Sequence, residues 1–345
     1  MSAESKVAAH LNLQGSAELR NAVLRSTAFI ALSSPPATPV VGEVFYHSTD
    51  NCLKVWNGTE WQSLASSATP VANSTIYGTG LDGDVTISVN TTLTSNKHYN
   101  NLTIAAGVSL DTNGWQVFVA GTLTLNNGSR IHCHGNNASG ITGGAARSAN
   151  FYGLSGAGAN GSTNNGASGA QVSNCIGSAG GNGGYASPGS SWGGSGGVAS
   201  PVQASDGGKN MFVLITSLQT GRILSGVNGG KFNGGTGGGA GFGNSLYSGA
   251  GAGSGGGICV VFAYSITVNG TATVSANGGL GGNGAAGNAG GGGGGGGGAC
   301  AVVASHALPS GLTVSATGGT GGTGFGTGQT GQTGTNGLSI YVVAN

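Results

Sequence analysis

Charge is scarce in this sequence. Of 345 residues, ten are Lys or Arg and nine are Asp or Glu, for a net charge of +1. That balance offers no electrostatic footprint for nucleic acid or an anionic membrane, so neither is expected as a partner. Long apolar runs are missing as well. The longest, from Ile258 to Tyr264, is seven residues, where a membrane helix needs about 20. The stretch from Met1 to Gly15 has no apolar core behind a basic start, so neither a secretory signal nor membrane insertion is expected. Proline numbers 7 and no single G-X-Y frame persists, which excludes collagen. Carboxylates run out early. Beyond Asp111 only Asp206 remains, and glycan hydrolysis needs a pair of them. Lys209 precedes Asn210 and Lys231 precedes Phe232, so there is no phosphate-binding P-loop. No spacing sets a His beside an Asp and a Ser for nucleophilic catalysis, and an enzyme is not expected. The five cysteines, Cys52, Cys133, Cys175, Cys259 and Cys300, are odd in number and never form CxxC. They read as small buried hydrophobes of a protein made in a reducing cytosol.

What the chain has in excess is glycine, 76 residues of 345, against a usual share of about 7%. The distribution is split. Residues 136–345 hold 65 of the glycines but only five charges, Arg147, Asp206, Lys209, Arg222 and Lys231. A disordered solvated tail normally carries high net charge, and this one has almost none. Gly inside a regular element costs about 0.5–1 kcal/mol relative to Ala, which argues against an ordinary helical or doubly wound enzyme. A neutral glycine-rich segment must bond backbone to backbone or precipitate.

Along the chain the rhythm changes several times. Residues 1–34 run from polar to apolar, and Ala17 to Arg25 reads as a short helix with Ser16 as its cap. Residues 35–65 start at a proline break and continue as short alternating runs split by Asp50-Asn51 and Asn57-Gly58, the pattern of a three-stranded β-meander. Residues 66–74 are a Ser/Ala/Thr-rich linker. From 75 to 135 come strands of three to five residues with period two, among them Val85 to Val89, Leu102 to Ile104, Trp115 to Val119 and Arg130 to His134. This spacing suggests a β-solenoid or an all-β barrel, with about four coils between residues 82 and 135. The rhythm returns at Ile258, where Cys259 aligns with Cys300 and Val274-Ser-Ala with Val314-Ser-Ala. That is an internal repeat of about 41 residues, and a truncated third copy lies at Leu338 to Val343. Between copies, Gly recurs every third residue at 278, 281, 284, 287, 290, 293 and 296, and again from 319 to 337 with one gap at Phe325. Period three is that of an extended left-handed helix. The alternatives are packed glycine helices and a flexible linker.

Two groups of side chains are candidates for function. His132 and His134 flank Cys133 at strand spacing, so their imidazoles share a face. They read either as a solvated pair or as ligands of a metal on a threefold axis; no other cofactor is expected. Aromatics are sparse in the glycine-rich part, and Tyr185, Trp192, Phe242 and Tyr247 stand out as candidate receptor-binding residues. Flat rings suit sugar faces and protein loops, and they equally suit packing over glycine layers.

Pro39 to His47 followed by Leu53 to Trp61 resembles a small module of bacteriophage tail-fibre and virion-fibre proteins. Gly83 to Leu125 is similar to the β-solenoid of phage fibres and spikes, and the glycine frames resemble the polyglycine-II sandwiches of phage tail-tip adhesins. The resemblance implies a non-enzymatic virion component, usually a homotrimer, made in the host cytoplasm. It would attach to other virion proteins through residues 1–65 and touch a host surface glycan or outer-membrane protein through a receptor-facing domain at 136–345. A capsid or tail decoration protein without a receptor is the alternative. The fold expected on these grounds is all-β: a small N-terminal β-meander, then a β-solenoid interleaved with polyglycine-II-like helical layers.

Overall fold

The computed structural model describes residues 31–49, 52–63, 74–185, 193–197, 199–201, 231–244 and 246–344. The chain divides into two compact units, Met1–Val71 and Ala72–Asn345. The predicted helix at 17–25, most of the linker at 66–74 and Trp192 lie outside the described residues.

The first unit is a four-stranded sheet in the order β1-β2-β3-β4. Strands β2 (Val44–His47), β3 (Cys52–Trp56) and β4 (Trp61–Ser63) run antiparallel, and β1 (Ala31–Leu32) joins β2 in parallel. The Asn57-Gly58 turn between β3 and β4 is closed by the Asn57 side chain. Its Oδ1 accepts the N–H groups of Thr59 and Glu60, each at 2.8 Å. Gly58 supplies the positive φ, at 103°. Phe45 is buried edge-on against Trp61, ring centroids 4.7 Å apart, and this contact anchors the small core.

In the second unit the short helix α1 (Ser74–Tyr77) is the only helix among the described residues. It precedes β5 (Val85–Ile87), β6 (Thr91–Thr92), β7 (Lys97–Tyr99), β8 (Leu102–Ile104), β9 (Ser109–Asp111), β10 (Gln116–Asn126) and β11 (Ser129–His132). Then come β12 (Val172–Cys175), β13 (Ala199–Pro201), β14 (Ile258–Asn269), β15 (Ala272–Ser275), β16 (Ala299–Ala304), β17 (Leu312–Ser315) and β18 (Leu338–Val343). These strands form a seven-stranded sheet along the path β18-β16-β14-β10-β8-β5, with β7 beside β10, and a five-stranded sheet in the order β17-β15-β11-β9-β6. Strands β12 and β13 pair separately. All strand pairs of this unit are parallel.

This architecture corrects the expected one. The unit is a set of parallel sheets in layers, as α/β folds have, but with almost no helix; it is not a regular solenoid. The strands between residues 85 and 132 divide between two sheets instead of stacking as about four equal coils. The neighbour of β10 is β14, although β11, β12 and β13 lie between them in sequence. No α-helix is assigned among the described residues of the glycine-rich runs: they are extended segments bonded to one another. Period-two runs announce strands, but partner and register are decided by non-local pairing that short runs do not encode.

Parallel sheets are normally covered on both faces, and their strands read as unbroken apolar runs. In β14, Cys259, Val261 and Ala263 face the core between the two sheets, while Ile258, Val260 and Phe262 face a second core on the other side. The latter face carries an aromatic ladder: His98 stacks on Phe118 at 4.5 Å and Phe118 on Phe262 at 4.9 Å, in register across β7, β10 and β14. The sequence repeat is the sheet register itself, for Cys259 pairs with Cys300 and Val274 with Val314.

The glycine runs lead directly into the strands: Gly257 into β14, Gly298 into β16 and Gly337 into β18. The run 290–298 donates backbone hydrogen bonds with period three in three directions. Gly290, Gly293 and Gly296 donate to Phe242, Gly239 and Thr236; Gly291, Gly294 and Gly297 to Gln329, Gln332 and Thr335; Gly292, Gly295 and Gly298 to Gly282, Gly279 and Ala276. All nine are 2.8–2.9 Å long. Only residues without a Cβ fit: one added to Gly295 would lie 1.9 Å from the Ser254 carbonyl oxygen. The glycine layer thus satisfies its own buried backbone, which any such layer must do.

Candidate functional site

The glycine runs reverse direction in tight turns, and hydrogen bonds bring five of these turns and Tyr185 together. Gly251 donates to Gly140 and Gly161 to Ile141; Gly249 donates to Ser162 and Gly243 to Asn164. Phe242 donates to Gly184, Gly290 to Phe242 and Phe325 to Ala289, while Gln329 donates to Tyr185. The turns around residues 140, 163, 245, 287 and 326, with Tyr185 beside them, therefore make one surface.

That surface is apolar and uncharged. Ile141 is 53% exposed, Leu246 81%, Tyr247 48% and Phe325 48%. No residue in 140–142, 160–165, 242–249, 284–290 or 324–329 is charged. The Tyr247 ring lies on Gly287, where an added Cβ would fall 2.0 Å from the ring. Asn244 closes its own turn: its Oδ1 accepts the Tyr247 N–H at 2.9 Å and its Nδ2 donates to the Gly287 carbonyl. Beneath them the interior run 290–298 is bonded to its neighbours in all three directions, so these rings stand on a stiff base although they sit in loops.

Of the aromatic candidates, the structure brings Tyr185, Phe242 and Tyr247 to this end, with Tyr185 and Phe242 half-buried and Tyr247 exposed. Trp192 lies outside the described residues. Sequence pattern alone singles out neither Ile141 nor Leu246. The usable signal is a large apolar residue in a turn that interrupts the period-three glycine frame. No family model matches the chain, and no curated protein or solved structure is similar to it.

The histidine pair lies elsewhere. His132 closes β11 and His134 follows it, their rings stacked at 4.5 Å, while Ile131 and Cys133 are fully buried on the opposite face. Arg147, from the next segment, forms an ion pair with Asp111 beside them. His134 Nε2 lies 2.7 Å from Ser275 Oγ. Burial pushes the His134 imidazole down to about 4, with His132 beside it adding to the effect, and it lowers His132 too. Both rings are therefore neutral near pH 7. Two imidazoles could donate to a metal, but among the described residues no third His, Cys, Asp or Glu joins them in a metal-binding group.

Proposed function

We propose that this protein is a non-enzymatic adhesion component of a phage virion, attached through residues 1–65, whose apical turns bind an uncharged saccharide surface of the host. One observation carries the reading. Three neighbouring turns of the glycine layer hold Ile141, Leu246, Tyr247 and Phe325 exposed on one face with no charge among them. Large exposed apolar groups on a soluble protein mark contact surfaces. Aromatic rings supply contact area at low entropic cost, and the exposed Asn164 and Asn165 offer amides for sugar hydroxyls. A ligand held this way is recognised by stacking and neutral hydrogen bonds, so affinity should hardly respond to salt.

The test is binding of the purified chain to arrays of neutral and acidic bacterial polysaccharides and to intact cells. A Leu246→Ala, Tyr247→Ala, Phe325→Ala variant should lose binding by about tenfold or more, as expected for central interface anchors, with little change in melting temperature. Undiminished binding by this variant, or none by the native chain, would refute the assignment; loss of binding in moderate salt would point to an acidic ligand instead.

A further inference from the structure

Among the described residues, the last glycine run, 328–337, is one neighbour short. In the interior run 290–298, all three rows of N–H groups find carbonyls on adjacent runs. In 328–337 two rows do. Gly328, Gly331, Gly334 and Gly337 donate to Phe325, Gly322, Gly319 and Ala316, and Gln329, Gln332 and Thr335 donate to Tyr185, Asn182 and Ala179. The third row does not: the N–H groups of Thr330 and Thr333 meet no acceptor among the described residues, and the carbonyls of Thr330 and Thr333 accept from none. Thr330 and Thr333 are exposed.

An open row of this kind is to a glycine layer what an unpaired edge strand is to a sheet, a template for more of the same backbone. Natural edges are guarded by charge or proline, but this chain has no charge after Lys231 and no proline after Pro309. The occupant must present an extended backbone that repeats every three residues and carries no charge, and the chain itself supplies that segment. Side chains at these positions do not prevent pairing, because Gln329, Gln332 and Thr335 already pair through their backbones. Direction is no obstacle either: 328–337 runs antiparallel to 316–325 and parallel to 290–298. With donors and acceptors both free, the row is complementary to itself.

We propose that residues 328–337 form a self-pairing face, through which two copies of this chain meet antiparallel along Thr330 and Thr333. Proline suits an extended three-residue-per-turn backbone but has no N–H, so Thr330→Pro with Thr333→Pro removes the donors without adding bulk to the layer. Light scattering on the full chain should show the native protein associating and this variant halving its mass at equal melting temperature. Should the proline variant fail to fold, Thr333→Arg, which places like charges across the face, is expected to give the same loss of mass. A Thr333→Cys variant exposed to a short bismaleimide should become a covalent dimer, whereas Thr163→Cys in an apical turn should not; this separates the face from any contact made by residues 1–65. The proposal is overturned by a native chain that is monomeric, by folded variants of unchanged mass, or by Thr333→Cys cross-linking no better than Thr163→Cys.

Discussion

Gly295→Ala tests the glycine layer most directly. Gly295 is buried; its N–H donates to Gly279 at 2.9 Å and its carbonyl accepts from Gly319 at 2.8 Å. A Cβ at this position would lie 1.9 Å from the Ser254 oxygen and 2.3 Å from its carbonyl carbon, both backbone atoms that no rotamer change can move. Restoring van der Waals contact requires the run 250–256 to shift by more than ~1 Å. That run is tied to 290–298 by Ala250 to Gly290, Gly253 to Gly293 and Gly256 to Gly296, at 3.1, 3.0 and 2.9 Å. Such a shift breaks all three. Overpacking costs about 1–3 kcal/mol, and each buried hydrogen bond left unmade about 1 kcal/mol or more. The combined effect is on the order of 5 kcal/mol. At about 2 °C per kcal/mol for a unit of this size, the melting temperature should fall by roughly 10 °C in differential scanning calorimetry. Two controls separate the causes. Thr333→Ala sits in a run of the same period with its side chain exposed, and should melt close to the native chain. Gly140→Ala has open space around it but φ of 58°, and should cost only the left-handed strain of about 1–2 kcal/mol. If Gly295→Ala melts within about 2 °C of the native protein, the close-packed layer is refuted.

Other perturbations reach other parts of the molecule. His134 is held near 4 in the folded state, below its unfolded value near 6.5, so the unfolded chain binds the extra proton. Its contribution is complete above about pH 6.5 and is lost as pH falls towards 4, by on the order of 3 kcal/mol. Denaturant melts at pH 7 and 4.5 should show this loss, and His134→Gln should reduce it; an unchanged pH profile in that variant contradicts the burial argument. Cys133, Cys175, Cys259 and Cys300 are buried, and burial pushes the Cys133 and Cys175 thiols up to about 11. A thiol reagent at pH 8 should therefore modify these four only on unfolding, and rapid native-state labelling of any of them would contradict the core described. Phe262→Ala removes a fully buried ring from the ladder on Phe118 and should cost about 3–5 kcal/mol, measured as a lower urea midpoint.

Local chemistry made much of this protein legible. The Asn57-Gly58 turn, the apolar run at Ile258 and the Cys259–Cys300 repeat were readable because turn residues, face alternation and copy spacing are properties of neighbouring residues. The repeat even carried the register of β14 on β16 and β15 on β17, since equal copies bury equal faces. The candidate site was readable only in part. Tyr247 stood out as an aromatic among glycines, but nothing local joins it to Phe325 or to Ile141. Those residues share one end of the unit because runs far apart in sequence end in turns at one level, and this follows from which run bonds to which.

By itself, then, the sequence determined the materials: strands of alternating faces, glycine at every third position where a Cβ cannot fit, and a surface almost without charge. Tertiary structure alone decided that the strands sort into two parallel sheets, that β10 pairs with β14 instead of closing a stack of its own, and that, among the described residues, the Thr330 and Thr333 row of the last glycine run meets no partner. The physical reason is common to all three. A parallel strand or an extended glycine run has no bonds within itself, so its partner is chosen by backbone groups arriving from elsewhere in the chain, and those choices are made together or not at all.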